Sequence, residues 1–321
     1  MDTNPINEPW RMLTVLAAKG GVDDPLSVVS LPAVTPDMPA DYLIALVIAV
    51  IGSVLIHLSQ GLMKLAILRR QQGDKSPGQR YLYLSGMLLN FSAPLWVILA
   101  NRFAPTVIFT SVYAIGLLAL LWFSCWKLGL ALRKRDLLGA LLLTLGAILL
   151  AIGNIQNGLI HMSQLNIVPM WWMLAMLCLL VWPVSWLCKQ FSWLPQGLLF
   201  GFLGGAFLAV DSLLKGIAQS DSGVSAFLPS TLAGMAIFAL SFVGAAMAFG
   251  MTQWAHARGA PPSATIAGYD AAYMLTPLLL ISLALPGGHL LNWMCLLGLG
   301  CTLLSLVLLH RPATEKEKKG A

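Results

Sequence analysis

Charged residues are scarce in this chain. Asp, Glu, Lys and Arg together make up 10% of its 321 residues, whereas a soluble domain carries about 25%. The five cysteines include no Cys-x-x-Cys spacing, so neither a disulfide framework nor a zinc site is indicated. The sequence also lacks a Walker motif, a Gly-x-Ser-x-Gly elbow and a His-Glu-x-x-His pair. Because no cluster supplies a nucleophile with its base, we expect neither an enzyme nor a bound cofactor.

Long apolar segments take the place of charge. Apolar residues make up 58% of the sequence, and a membrane helix needs about 20 of them because it must satisfy every backbone N–H and C=O itself. The pattern predicts an all-α polytopic membrane protein with nine transmembrane helices. These form one domain, 41–309, between an N-terminal tail (1–40) and a charged tail (310–321). The predicted spans are 41–68, 81–101, 104–127, 136–155, 168–188, 195–217, 228–254, 263–284 and 287–309.

The basic residues lie mainly on alternate connections between these segments. The positive-inside rule assigns the richer side to the cytoplasm. We therefore expect a cell (inner) membrane protein with its N-terminus outside, its C-terminus in the cytoplasm and no nucleic-acid partner. No cleavable signal peptide is predicted, and residues 10–19 have the pattern of a short interfacial helix. Residues on the richer side are Arg69, Arg70, Lys75, Arg80, Lys127, Arg133, Lys134, Arg135, Lys189, Arg258, Arg311, Lys316, Lys318 and Lys319.

The chain contains an internal repeat. The segment Gly52-Ser-Val-Leu-Ile-His-Leu-Ser-Gln-Gly-Leu-Met-Lys64 returns as Leu203-Gly-Gly-Ala-Phe-Leu-Ala-Val-Asp-Ser-Leu-Leu-Lys215. Asn101-Arg-Phe-Ala-Pro returns as Ala257-Arg-Gly-Ala-Pro, and a tyrosine follows each proline by eight residues, at Tyr113 and Tyr269. Repeat one covers 41–155, repeat two covers 195–309, and a linker helix (168–188) joins them. Since four helices plus one linker reverse the second copy, the repeat has inverted topology.

Small residues and prolines predict local features of the helices. One span has a glycine at every seventh residue, at Gly139, Gly146 and Gly153, which places the three on one stripe of the helix. Another span has two overlapping Gly-x-x-x-Gly spacings, formed by Gly197, Gly201 and Gly205, which permit close helix packing. Prolines within spans are expected to kink a helix or to free carbonyl groups. They are Pro94, Pro183 and Pro277.

The motif Gly86-Met-Leu-Leu-Asn-Phe-Ser-Ala, followed by Arg102-Phe-Ala-Pro, resembles the drug/metabolite transporter superfamily, especially its NIPA-type magnesium transporter branch. That branch is similar in its nine spans, outside N-terminus, basic loop after helix one and Ala-Pro opening of helix three. Helix three departs from it, since Ser111-Val-Tyr113 occupies the branch's Pro-Leu-Gly-like segment. The resemblance implies that helices one to three and six to eight line a cavity, with four and nine peripheral.

The end of helix one, Gly61-Leu-Met-Lys64, is also similar to the small multidrug resistance proteins of the same superfamily. Their proton-coupling glutamate lies eight residues before the lysine. Ile56 and, in the second copy, Phe207 hold that position here. Any coupling in this chain therefore has to use other residues.

Ionisable residues within the spans are functional candidates, because a charge in the bilayer is costly. Asp270, beside Tyr269, has no lysine one turn away, and we expect it to bind a cation or a proton unless it pairs with Arg258, Lys64 or a neighbouring helix. Asp211 has Lys215 at i+4, so the two either line a polar cavity or neutralise each other with Lys215 snorkelling outward. Asp270 and Asp211 are the candidate metal ligands.

Further polar candidates lie on helices one to three. Gln60 and Lys64 repeat the Asp211 and Lys215 positions; Lys64 either serves the site or snorkels. His57 shares a face with Gln60 and could relay protons or bond a neighbouring helix. Asn90, near Ser92 and Pro94, could contact a solute or repair the kink. Tyr113 and Tyr269 are repeat equivalents, suited either to gating or binding a solute or to core packing.

These features favour a secondary carrier that moves a small polar or charged solute by alternating access. By resemblance, a divalent cation such as magnesium leads the candidates, although two membrane carboxylates are few for Mg²⁺. A flippase for a lipid-linked head group and a non-transporting membrane partner protein remain alternatives. Expected partners are the solute or cation and membrane lipids, and a homodimer is compatible with the sequence.

Overall fold

The computed structural model describes residues 40–73, 76–129, 134–156, 162, 165–191, 196–221, 226–260, 262–285 and 292–309. All of them belong to a unit that begins at Met38. Every regular element among them is helical, and no strand occurs in this part of the chain. The N-terminal tail with its predicted interfacial helix and the charged tail lie outside the described residues.

Eight described helices are long and apolar enough to cross a membrane, and a ninth apolar helix has 17 residues. Their bounds differ from the predicted spans by a few residues: α1 and α4 run past both predicted ends, whereas α3, α7 and α9 begin later than predicted. The eight are α1 (Ala40–Gln71), α2 (Pro77–Asn101), α3 (Thr106–Lys127), α4 (Lys134–Gln156), α5 (Val168–Gln190), α6 (Gln196–Gln219), α7 (Leu232–Ala257) and α8 (Pro262–Ala284); the shorter one is α9 (Trp293–Leu309).

Two of these helices are interrupted. α2 breaks at Ser92, two residues before Pro94, whose missing N–H leaves a carbonyl of the preceding turn without a donor. Ser92 Oγ donates to the Leu89 carbonyl at 2.6 Å and stabilises the break. α3 contains a 3₁₀ turn, Tyr113–Ile115. By contrast, α5 and α8 continue through Pro183 and Pro277.

The Gly139, Gly146 and Gly153 stripe of α4 packs against α9, as its spacing predicts. A Cβ atom on these residues would lie 2.7, 2.7 and 2.6 Å from side-chain atoms of Leu309, Thr302 and Cys295, respectively. The partners descend by seven as the glycines ascend by seven, so α4 and α9 are antiparallel.

Glycines also set the packing of the other helices. Gly201 and Gly205 of α6 lie against backbone carbonyls of α8, at Thr265 and Tyr269, where no Cβ would fit. Gly86 of α2 and Gly116 of α3 approach α1 in the same way. The most buried helices are α3, α6 and α8 at the centre, whereas α2, α5 and α7 expose apolar side chains that suit lipid.

The two ends of the bundle differ in charge. We call the end at which α1 stops and α2 starts the basic end; it carries Arg69, Arg70 and Arg80. The end of α7, with Arg258, lies there too, because Arg70 and Ala257 line one cavity. The other end, where α2 stops at Asn101 and α6 stops at Gln219, is called the opposite end.

Candidate functional site

A histidine and an aspartate meet in the core. His57 of α1 places Nε2 2.9 Å from Oδ2 and 3.1 Å from Oδ1 of Asp270 on α8. The side chains are 2% and 0% exposed, respectively. Asp270 therefore has a basic partner on a neighbouring helix, and the sequence had left that alternative open.

The hydrogen bonds of His57 fix a proton between the two residues. Nδ1 lies 2.8 Å from the Ser53 carbonyl oxygen, which only accepts, so Nδ1 carries a hydrogen. The short contact from Nε2 to the carboxyl then needs one further proton, either on imidazolium or on carboxylic acid. Without it, a nitrogen lone pair would face a carboxylate in a dry site, where repulsion is strong. The His57–Asp270 pair is thus a proton-holding site.

Three tyrosines surround this pair. The Tyr113 ring lies 5.1 Å from that of His57, 4.6 Å from Tyr273 and 6.3 Å from Tyr269, measured between ring centroids. Tyr113 and Tyr269, which are equivalent in the sequence repeat, are neighbours whose rings are tilted by 40°. Tyr273, whose hydroxyl is 2.7 Å from Ser212 Oγ, was missed, although it follows Tyr269 by one helical turn.

The 3₁₀ turn in α3 brings Tyr113 close to α1. Ser53 Oγ donates to the Tyr113 carbonyl and accepts from the Gly116 N–H at 3.0 Å. Gly116 lies against the Ser53 and His57 side chains, so any larger residue would displace the histidine. Ser53 thereby holds both His57 and Tyr113, a role that a small polar residue within an apolar span could have suggested.

Asp211 and Lys215 form an ion pair within one turn of α6, as their i,i+4 spacing predicts. The expected snorkelling is wrong: Lys215 is 0% exposed, and its Nζ lies 4.1 Å from the ring centre of Phe242. Burial between α7 and α8 keeps the ammonium beside its carboxylate. The two candidate metal ligands, Asp270 and Asp211, are thus each paired with a basic side chain.

Gln60 and Asn90 line a cavity of about 200 Å³ between α1, α2, α6 and α7. Gln60 Nε2 donates to Asn90 Oδ1 at 2.7 Å. The hydrogen bond at the helix break is made by the Ser92 side chain and not by that of Asn90, which lines the cavity. A separate space of about 10 Å³, lined by His57, Asp270 and Tyr113, shares Gln60 and Tyr269 with the larger cavity. The proton-holding pair therefore lies beside the cavity.

Hydrogen bonds close the opposite end of the bundle. Asn101 Nδ2 donates to Gln219 Oε1 at 3.0 Å, and Thr106 Oγ1 donates to Asn101 Oδ1 at 3.0 Å. Gln219 Nε2 donates to carbonyls of the α2 and α6–α7 segments, including that of Ala226 at 2.9 Å. This network, centred on Asn101 and Gln219, joins α2 to α6.

The basic end holds a cavity of about 1040 Å³ between α1, α2 and α7. Tyr83 and Gln253 line it and form a 3.3 Å hydrogen bond, and Gln253 Nε2 lies 3.8 Å from Met63 Sδ. The central cavity is lined by other residues of the same helices, at Gln60, Asn90 and Thr252. Tyr83, Gln253 and Met63 thus form a constriction between the two spaces.

Lys64 lies beside this constriction, one turn from Gln60 and from Ile67. It is 8% exposed, so the snorkelling expected from its place near the helix end is not what the described residues show. No hydrogen bond or ion pair joins it to another described residue.

Comparison of the chain with protein-family models, with curated proteins and with solved structures gave no match. The resemblance to the drug/metabolite transporter superfamily therefore stays a prediction from the sequence. Function has to be argued from the site itself.

Proposed function

We propose that the protein is a secondary transporter that moves a small polar or charged solute by alternating access. The observation that carries this proposal is the buried His57–Asp270 pair, which lies beside a cavity between helices of both sequence repeats. Buried ionisable groups within membrane helices mark ion and substrate pathways, because their cost is otherwise not offset.

Helix packing supports the proposed nine spans and the inverted repeat. α1 packs on α2 and α3, as α6 packs on α7 and α8. The fourth helices of the two repeats, α4 and α9, pack antiparallel on each other, and Tyr113 lies beside its equivalent Tyr269. A two-fold axis in the membrane plane would produce these relations. We take the basic end as cytoplasmic, following the positive-inside rule.

Alternating access is supported by an asymmetry between repeat-equivalent positions. The Asn101–Gln219 hydrogen bond closes the opposite end. In the other repeat, Asn101 corresponds to Ala257 and Gln219 corresponds to Leu68. Neither of these has a side-chain amide that could form the same hydrogen bond. Ala257 lines the large cavity at the basic end. Among the described residues, a hydrogen bond between the repeats therefore lies at one end and a large cavity at the other, and exchange of the two repeat conformations would reverse this asymmetry.

The coupling ion that suits the site is the proton. His57 and Asp270 share one in a buried hydrogen bond, and losing it would leave a net negative charge that disfavours this packing. A magnesium site is less well supported, since each candidate carboxylate has a basic partner. Among the described residues, no group of three or more His, Cys, Asp or Glu side chains is placed to hold a metal ion.

Purified protein reconstituted into liposomes tests this proposal. A panel of polar solutes and Mg²⁺ would be added while an internal pH-sensitive dye reports proton movement. We expect at least one solute to drive proton flux in wild type and none to do so in Asp270→Asn or His57→Gln. Asp41→Asn, which alters an exposed carboxylate at the start of α1, is the matched control and should transport normally. Solute flux without proton flux would reject proton coupling, and absence of any flux across a broad panel would reject the carrier.

A further inference from the structure

Basic residues dominate the charge at the cavity between α1, α2 and α7. Arg70 and Arg80 line it, and no acidic residue is among the lining residues that the structure describes. The remaining lining includes the polar Tyr83 and Gln253 and several apolar side chains, Ala66, Ile67, Leu84 and Ala257. A solute that carries a negative charge on an apolar body would match this mixture.

Two basic side chains stand behind the wall of this cavity without partners. His256 of α7 is 2% exposed, and neither ring nitrogen has a hydrogen-bond partner in the part of the chain that the structure describes. Lys64 of α1, which is 8% exposed, has no hydrogen bond or ion pair to another described residue either. The two side chains lie near the contact between α7 and α1 at which Gln253 Nε2 is 3.8 Å from Met63 Sδ. His256 follows Gln253 by three residues and Thr252 by four, so it lies on the α7 face that borders both cavities.

This arrangement is costly without a counter-ion. A buried polar group that lacks a hydrogen bond destabilises the protein, and a buried charge does so more strongly. Two neighbouring basic groups also repel each other. The carboxylates that could offset them, Asp211 and Asp270, are already paired with Lys215 and His57. A partner for these two groups would therefore have to come from outside the described residues, and an anion suits both of them.

We propose that Lys64 and His256 bind the oxyanion of an amphipathic solute, a carboxylate or a phosphate ester, in the cavity at the basic end. Lys64 supplies an ammonium group and His256 a ring N–H, while Arg70 and Arg80 attract the anion at the mouth. The apolar body of the solute packs on Ile67 and Leu84. The role of this site in transport rests on the proposed carrier function, whereas binding of the anion does not.

Binding to the purified full-length protein in an uncharged detergent is the first test. The probes are inorganic phosphate, hexyl phosphate and hexanoate, with hexyltrimethylammonium as a cation of the same apolar length. A ligand that binds the folded form raises the melting temperature in a saturable way. We expect hexyl phosphate and hexanoate to stabilise the protein more than inorganic phosphate does, and the cation to have no effect. Stabilisation by the cation or by Mg²⁺, with none by the anions, would overturn the proposal.

Variants locate the site. Lys64→Gln and His256→Gln should each weaken hexyl phosphate binding by roughly tenfold to a hundredfold, the size expected for one hydrogen bond to a charged group. Lys127→Gln, which alters a lysine at the end of α3 that stacks on Trp126, should bind as wild type does. Lys64→Gln should also raise the melting temperature of the ligand-free protein, because it removes an unpaired buried charge. Unchanged anion binding in both site variants would sink the proposal even if both fold normally.

The source of the oxyanion is decided in lipid nanodiscs. Hexyl phosphate binding is measured in phosphatidylcholine discs with and without phosphatidate. If phosphatidate abolishes binding to wild type but does not change the weak residual binding to Lys64→Gln, the site takes a lipid head group. If binding to wild type is undiminished, the site takes a soluble anion. Failure here is distinct from failure of the carrier. Proton-coupled flux of a cationic solute without anion binding rejects only this site, and anion binding without any flux rejects only the carrier.

Discussion

His57 and Asp270 are 213 positions apart in the chain, yet their side chains share a hydrogen bond 2.9 Å long in the centre of the bundle. Each therefore depends on the other. Removing one partner leaves the remaining group buried and unpaired, whereas removing both leaves no unpaired group of this pair in the core.

Single and double substitutions of this pair should therefore not be additive. We expect His57→Leu or Asp270→Ala alone to lower the free energy of unfolding by about 3–5 kcal/mol. The double variant should lose much less than the sum, because no uncompensated group remains in the core. Denaturant unfolding in detergent measures all four proteins. If the losses of unfolding free energy in the two single variants add up to the loss in the double variant, the two groups do not interact in the folded protein.

The Asn101–Gln219 hydrogen bond should control access from the opposite end. Gln219→Ala removes the side chain that joins α6 to the carbonyls of Ile98 and Phe227, and we expect it to favour opening there. A cysteine is introduced by Thr106→Cys, at a fully buried position, in a protein without the native cysteines. This cysteine should react several times faster with a membrane-impermeant thiol reagent in the Gln219→Ala protein than in the protein that keeps Gln219.

Ser230→Ala is the control for that experiment, since Ser230 contacts the exposed Asp221 at the same end but not the Asn101–Gln219 network. It should leave the reaction rate of the Thr106 cysteine unchanged. Equal rates in all three backgrounds would show that Gln219 does not gate this end.

Much of the helical fold was predictable because membrane helices are long, apolar and locally encoded. The α4 glycine stripe and the Asp211–Lys215 pair depend on spacings within one helix; the stripe was predicted, and the pair was one of the two alternatives that the sequence left open. The His57–Asp270 pair was not, since no local pattern says which helix lies opposite Asp270. Likewise, Asn101 was not among the candidate residues, because its partner Gln219 is brought to it only by the packing of α2 on α6.

Glycine packing at the α4–α9 contact gives a matched pair of substitutions. Gly146→Ala would place a Cβ 2.7 Å from Thr302 Oγ1 and 2.9 Å from the Gly298 carbonyl oxygen, so we expect it to destabilise the protein by about 1–3 kcal/mol. Gly300→Ala, on α9, meets nothing within 4 Å and should be neutral or stabilising through its helix propensity. Thermal unfolding compares the two. Equal effects would argue against close α4–α9 packing.

Asp221 links acid pH to stability at the opposite end. Hydrogen bonds from the Thr231 side chain and from Ser230 hold the pKa of this carboxyl below its usual value of 3.8. A depressed folded-state pKa stabilises the folded protein above the unfolded value and loses that contribution as the pH falls through the folded one. Asp221→Asn should therefore melt at a lower temperature than wild type at pH 7, and the difference should shrink below about pH 4. Because Asp221 is exposed, the difference at pH 7 should be small but should survive in high salt, since hydrogen bonds rather than long-range charge produce it. A gap that instead widens as the pH falls would contradict this origin.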